Sequence, residues 1–469
     1  MTRGLSVFVR ENLEAFAVAI ALALVVRHYS LEAFRIPSKS MMPTLIGSER
    51  GGDRILVDKY RWLFGEPHRW EPTVFQYPLN RSRNFIKRLA GLPGERLKIE
   101  DGDLFTSRDA GESWTIARKT GDAREALFFP YYPDPVEQRG FFARGGNWEP
   151  GPGWTADEQK NRFAVATDAK STLQFRSQVV PYHSDGVYGN LQVSEYADGG
   201  EVADDLRVRF ELKAERAGTL AVQLTERGLA HRLVLGPDGS KAVLALAQGS
   251  DKDYPLDVRI RSGGEYEVSF ANADDALLVE VRGDAELTEE IPFPPEASRE
   301  ATGTWRHRVL FEAEGLKATI ENIRIARDVQ YTQDGEWPRE KGTSIPEGHY
   351  FMLGDNTRSS KDSRAWEIAE VTLKDGTIIR WEEGHDAQDV PGQPNANFDP
   401  GDPDRVIEVQ ADVDGLLRRF HTSEVVRKQV GVPYPFVSRD HLVGRAFAIF
   451  WPIYIWPAVK EPTRVGLIR

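Results

Sequence analysis

From about residue 170 to residue 330, apolar and polar side chains alternate in one segment after another, and no other feature restricts the fold so tightly. LRVRFELKA, TLAVQLTE, HRLVLG, YEVSFAN, ALLVEVRG and ATIENIRIARD each place apolar residues on one face of an extended chain. Such strands, parted by turn residues at regular spacing, predict two packed antiparallel sheets: an inserted β-sandwich of jelly-roll or laminin-G-like kind. Residues 34–103 alternate short apolar runs (RILVDKY, TVFQYP, RLKIEDGDLF) with Gly and Pro turns, which is also strand punctuation. The expected fold class is mainly β. Residues 130–160, rich in Pro, Gly and aromatics, read as a linker or irregular cap. Residues 367–435 read as a second irregular stretch with strand-like VTLKDGTIIRW and RVIEVQA.

The start of the chain is different in kind. Residues 15–26 (AFAVAIALALVV) form an uninterrupted apolar run with charges on both sides. At about 1.5 Å per residue it covers part of a ~30 Å hydrocarbon core, and the flanking apolar residues extend it if the charges between them snorkel. No small-x-small cleavage site follows closely, so an N-terminal transmembrane helix is expected over a removable leader. The mean hydropathy of −0.46 excludes a polytopic membrane protein. A length of 469 residues calls for more than one core. The formal charge of −12 argues against nucleic acid as a partner, and the absence of Cys excludes disulfides, thiolate catalysis and Cys-based metal sites.

Three segments combine polar groups with Gly and Pro in ways that packing alone does not require. FRIPSKSMMPTL (34–45) follows the apolar run and sets Ser38 and Ser40 two apart, on one side of an extended chain. NFIKRLAGLPGE (84–95) places Lys87 within an apolar strand before a Gly/Pro turn. PEGHYFMLGDNTRSSKDSR (346–364) is an aromatic strand that empties into a polar loop. A Ser hydroxyl attacks only when a neighbour takes its proton, and no His lies in the Ser or Lys segments. His349 comes nearest, on the strand before the polar loop, so a Ser-His-Asp triad fits poorly. A Lys serves as base only when desolvation lowers its pKa from ~10.4 toward neutrality, and Phe85, Ile86 and Leu89 offer dry surroundings.

Together these segments resemble the boxes of the type I signal peptidases. FRIPSKSMMPTL is similar to the family's IPSGSMxPTL, GDRILVDK (52–59) to GDxxLVxK, NFIKRLAGLPGE to YIKRxxGLPGD/E, and the 346–364 segment to GDNRxxSxDSR; LVGRAFAIFWP resembles the closing strand. All five stand in the family's order behind an N-terminal apolar segment. The resemblance implies Ser40 as nucleophile, Lys87 as general base, and an oxyanion hole from Ser38 and the Ser40 N–H. It further implies Ser360 as the group that orients the Lys87 amine, Asp355 with Arg88 and Asp362 with Arg364 as supporting pairs, and substrate pockets from Phe34, Ile36, Met41, Leu45, Phe85 and Ile86. No metal or organic cofactor is implied. Two motif positions depart from the pattern: Lys39 replaces the usual Gly, and Thr357 takes the usual Arg position with Arg358 shifted by one.

The expected organisation is an anchor at 1–33, peptidase core at 34–135, inserted sandwich at 136–331, core again at 332–366, a second insertion at 367–435, and a closing strand and tail at 436–469. The implied activity is endoproteolytic removal of signal peptides from exported preproteins at Ala-x-Ala-like sites. It would be carried out by a single-pass protein of the cytoplasmic membrane with its catalytic domain outside, in contact with membrane lipid. No residue pattern names a ligand for the sandwich. A membrane-tethered binding protein with a relic peptidase core is the alternative, and intact Ser40, Lys87, Ser38, Ser360 and Asp362 weigh against it. A self-cleaving repressor-type Ser/Lys protease is disfavoured by the acidic charge and the apolar run.

Overall fold

The structure is a computed structural model that describes residues 31–48, 52–133, 148–176, 203–246, 251–294, 309–333, 341–382, 406–409, 412–451 and 465–468, with residues 12, 13, 16 and 18 of the N-terminal stretch. It is mainly β and divides into two compact units, one of residues 1–115 and 332–469, the other of residues 116–331. The expected anchor lies almost wholly outside the described residues. Among those described, no helix is long and apolar enough to cross a membrane.

The first unit is built on an antiparallel sheet with the strand order Leu31–Arg35, Arg54–Asp58, Leu442–Trp451, Pro72–Tyr77, Asn80–Gly91, His349–Leu353, Phe436–Ser438. Leu442–Trp451 is paired on both sides, so the closing strand is internal to the sheet. One apolar cluster gathers Ile36, Met41, Leu45, Ile55, Val57, Val74 and Ile86; another gathers Phe75, Tyr77, Leu89, Tyr350, Met352 and Trp366. The Trp366 ring lies 5.9 Å from Phe75 and 5.4 Å from Tyr77. In the 367–435 stretch, the strand-like VTLKDGTIIRW falls on Glu367–Leu373 and Ile378–Glu382, which form a three-stranded sheet with Val425–Pro433, and RVIEVQA contains the strand Val406–Val409. Val371, Ile379, Ile407, Val409 and Phe420 supply its own small core.

The second unit is a two-sheet sandwich. One sheet runs Trp154–Asp157, Arg162–Ala166, Lys317–Arg327, Leu206–Arg216, Gly264–Ala273, Ala276–Gly283, Leu287–Pro292; the other runs Lys252–Leu256, Ser240–Leu244, Leu229–Leu235, Thr219–Glu226, Val309–Glu314, Ser171–Phe175, Trp148–Pro150. Inward residues of both, among them Phe163, Phe210, Val268, Val222, Leu233 and Phe311, share one buried cluster. Trp148 sits 5.3 Å from Phe163 and 5.0 Å from Phe175. The unit begins at Ile116, ahead of the expected 136, because Phe129–Tyr132 adds to the Lys317–Arg327 strand with Arg327 opposite Phe129. Residues 148–150 and 154–157, expected within a linker, are strands; their prolines and glycines fall at a turn and a strand end, where no ladder N–H is lost.

Candidate active site

Ser40 lies in a turn between Leu31–Arg35 and Arg54–Asp58, and backbone bonds fix that turn at both ends. The Ile36 N–H donates to the Asp53 carbonyl at 2.9 Å, the Ile46 N–H to the Asp53 carboxylate at 2.8 Å, and the Ser48 N–H to the Ile36 carbonyl at 3.2 Å. Within it, the Met42 N–H donates to the Lys39 carbonyl at 3.0 Å. The segment from Ser38 onward is thus a turn. Ser38 is exposed and Ser40 buried, with their hydroxyl oxygens 3.3 Å apart. Gly47 permits the closure: a Cβ there would lie 1.6 Å from the Ser38 carbonyl oxygen.

Lys87 comes from Asn80–Gly91, in register with Thr73 of the neighbouring strand. It is 3% exposed, and its Nζ donates to Ser40 Oγ, itself in a residue 5% exposed. Burial pushes the Lys87 ammonium down from 10.5 to about 8; the Asp362 and Asp355 carboxylates pull the other way, and the Arg364 guanidinium adds to the fall. A fraction of Lys87 is therefore neutral near pH 7, as a base requires.

The polar loop after His349–Leu353 ties the two segments together. Arg88 Nε and Nη2 donate to the two Asp355 oxygens at 2.8 and 3.1 Å, Arg88 Nη1 donates to the Trp70 carbonyl at 2.9 Å, and the Thr44 hydroxyl donates to Asp355. The Asn356 N–H donates to the Ser40 carbonyl at 3.1 Å and its side-chain amide to the Lys39 carbonyl at 3.3 Å. Asp362 pairs with Arg364 through Nε at 2.9 Å and Nη2 at 2.8 Å, and accepts the Gly354 N–H at 3.0 Å. Although burial raises the Asp362 carboxyl, Arg364, the Gly354 N–H and Lys87 outweigh it and hold the pKa below the usual range. Thr357, at the position of the expected Arg, is buried and gives its carbonyl to Arg364 Nη2 at 2.7 Å.

A cleft of about 510 Å³ opens over this centre, floored by Phe34, Ile36, Ile55, Val74, Phe85 and Ile86, with Ser38, Ser40 and Lys87 on its wall. Four of the six expected pocket residues, Phe34, Ile36, Phe85 and Ile86, line it. Met41 and Leu45 do not; both are fully buried in the cluster with Ile55 and Val57, because the turn points them inward. Ser360 Oγ is buried, has no hydrogen-bond partner among the described residues and is not joined to Lys87. It sits against Gly354, where a Cβ would come within 2.1 Å of Ser360 Oγ and 2.6 Å of the Ser40 carbonyl oxygen. Thr44, Gly47, Gly354 and Asn356 are site-building residues that the sequence reading did not assign, although all but Gly47 stand inside its quoted boxes.

The family described as signal peptidase, peptidase S26 matches residues 9–145 and 306–379. The probable signal peptidase I-1 of a Synechocystis species is 34% identical over 105 residues, which are 21% of this chain and 52% of that protein. Signal peptidase I of Pseudomonas aeruginosa is 33% identical over 118 residues, 21% of this chain and 40% of that one. Signal peptidase I of Aquifex aeolicus is 38% identical over 90 residues, 19% and 33% of the two chains. The chain thus spans about half or less of the length of the curated relatives it matches. Among solved structures, carbohydrate binding module CBM66 from Bacillus subtilis is 9% identical with a TM-score of 0.26, covering 39% of this chain and 97% of that one, a level from which no ligand follows.

Proposed function

We propose that this chain, a relative of the type I signal peptidases, is a membrane-anchored serine endopeptidase that removes signal peptides from exported preproteins. The observation that carries this reading is the buried Lys87 amine hydrogen-bonded to Ser40 at an apolar cleft. Neutral Lys87 takes the Ser40 hydroxyl proton as Oγ attacks the scissile carbonyl, and returns it to the leaving amine. The Ser40 N–H and the Ser38 hydroxyl face the developing oxyanion, and each such donor is worth roughly 2.7–4 kcal/mol. Water then repeats the sequence on the acyl-enzyme. The Arg88–Asp355 and Asp362–Arg364 pairs hold the geometry, and Ser360 orients the amine once substrate is bound. The apolar floor suits small apolar residues before the cut, as at an Ala-x-Ala-like site. Residues 15–26 anchor the chain by a single pass in the cytoplasmic membrane, with the catalytic unit on the outer face.

The test is incubation of the detergent-solubilised full chain with a preprotein, with the cut located by mass. Cleavage after the Ala-x-Ala-like site is expected, and it disappears in Ser40→Ala and in Lys87→Met. Near wild-type turnover in either variant sinks the assignment.

A further inference from the structure

Every charged side chain on the cleft is cationic: Arg35, Arg83, Lys361 and the base Lys87 line it, and no carboxylate does among the described residues. The chain as a whole has 72 acidic against 60 basic residues, so this local sign opposes the global one. Two of the cations are held in place. Glu382 accepts from Lys361 Nζ at 3.0 Å and lies 3.9 Å from Arg83 Nη1, while the Tyr77 hydroxyl donates to it at 2.9 Å. Burial and the nearby Glu382 both raise the Tyr77 pKa, so the phenol keeps the proton it donates. The Arg83 guanidinium lies over the Phe85 ring at 5.4 Å and the Tyr77 ring at 5.7 Å. Glu382, which is not on the cleft lining, is thus a carboxylate shared between two cations that are. It also belongs to Ile378–Glu382 of the second insertion, beyond residue 379, where the family match ends.

We propose that this cleft selects peptide substrates bearing a carboxylate side chain close to the scissile bond, recognised by Lys361, Arg83 and Arg35. The inference rests on the peptidase reading and adds a specificity to it. The carboxylate would sit where apolar floor gives way to exposed cations, and would gain Coulomb energy in partial solvent. An exposed pair of this kind contributes up to about 1 kcal/mol, or roughly five-fold in kcat/KM, and salt screens it.

The experiment uses the full chain in zwitterionic micelles with paired peptides that carry Asp or Asn at each position flanking the cut in turn. At low salt one position is expected to show an Asp/Asn ratio of about five in kcat/KM. That ratio should fall toward one at high salt, and also in Lys361→Ala or Arg83→Ala. Both side chains are about two-fifths exposed, so at least one variant is expected to fold. A ratio of one at every position overturns the proposal, as does a ratio that survives both substitutions. If the ratio is one but the two substitutions weaken sedimentation with phosphatidylglycerol vesicles, the cations serve lipid and the proposal is wrong. Failure to cleave either peptide removes the peptidase reading itself, a result distinct from cleaving both equally.

Discussion

Replacing Lys87 by Met should abolish turnover and yet stabilise the protein at neutral pH. The Lys87 pKa falls from 10.5 to about 8 in the folded chain, chiefly through burial. At about 1.36 kcal/mol per unit, the folded state bears a penalty of about 3 kcal/mol while the amine is protonated in the unfolded state. Between pH 8 and 10.5 the unfolded chain holds a proton that the folded chain has shed. Stability therefore rises with pH across that window, and the penalty is fully present below it. Met fills similar space without charge and forfeits one hydrogen bond to Ser40, worth about 1 kcal/mol. The net gain at pH 7 is about 2 kcal/mol, and it disappears and reverses slightly near pH 11. Denaturant unfolding of both proteins at the two pH values reads the difference directly. A variant less stable than wild type at pH 7, or a difference that does not change with pH, would refute the claim that the buried amine is held near neutrality. The same pKa predicts that wild-type kcat/KM climbs about ten-fold between pH 7 and pH 9 as neutral Lys87 accumulates.

Asp355→Ala leaves the fully buried Arg88 guanidinium without its carboxylate and should cost about 3–5 kcal/mol by thermal or denaturant melting. Gly354→Ala puts a Cβ within 2.6 Å of the Ser40 carbonyl oxygen and should lower kcat by about 100-fold, measured on protein whose circular dichroism is unchanged. Ser360→Ala removes a buried hydroxyl that has no hydrogen-bond partner among the described residues, so stability should hold or rise by up to about 1 kcal/mol. A fall in kcat in that variant at unchanged melting temperature would mark Ser360 as acting on Lys87 in the substrate complex.

Many strands were legible, because one-sided burial writes itself as alternation: Leu206, Val208, Phe210 and Leu212 are all inward positions of such a run. Ser40 and Lys87 were legible as residue types whose chemistry packing does not explain. Direction within a turn was not. The resemblance put Met41 and Leu45 in the substrate pockets, and no alternation reveals that the turn from Ser38 onward buries both in the cluster with Ile55 and Val57. Trp148–Pro150 and Phe129–Tyr132 were hidden for a different reason: prolines depress strand signals even at edges, where a ladder tolerates them.

What ties the site together could not be read from any window, because each tie spans most of the chain. Thr44 reaches Asp355, Arg88 reaches the same carboxylate, and Asn356 reaches the Ser40 carbonyl. These contacts survive a long intervening sequence because the first unit closes on itself on the near side of it. Ser344 pairs with Arg96 across the gap, the Arg96 guanidinium donates to the Lys341 carbonyl at 2.8 Å, and the Ile345 N–H donates to the Glu95 carbonyl at 2.8 Å. Ile345 in turn packs at Gly91, where a Cβ would lie 2.3 Å from its Cδ1, and Phe351 pairs with Gly91 in the sheet that carries Lys87. The strand that bears Lys87 is thus clamped to the strand that feeds the polar loop before the chain departs and after it returns. Loop-closure entropy grows only slowly with loop length, so residues 116–331 can be long at little cost to that clamp.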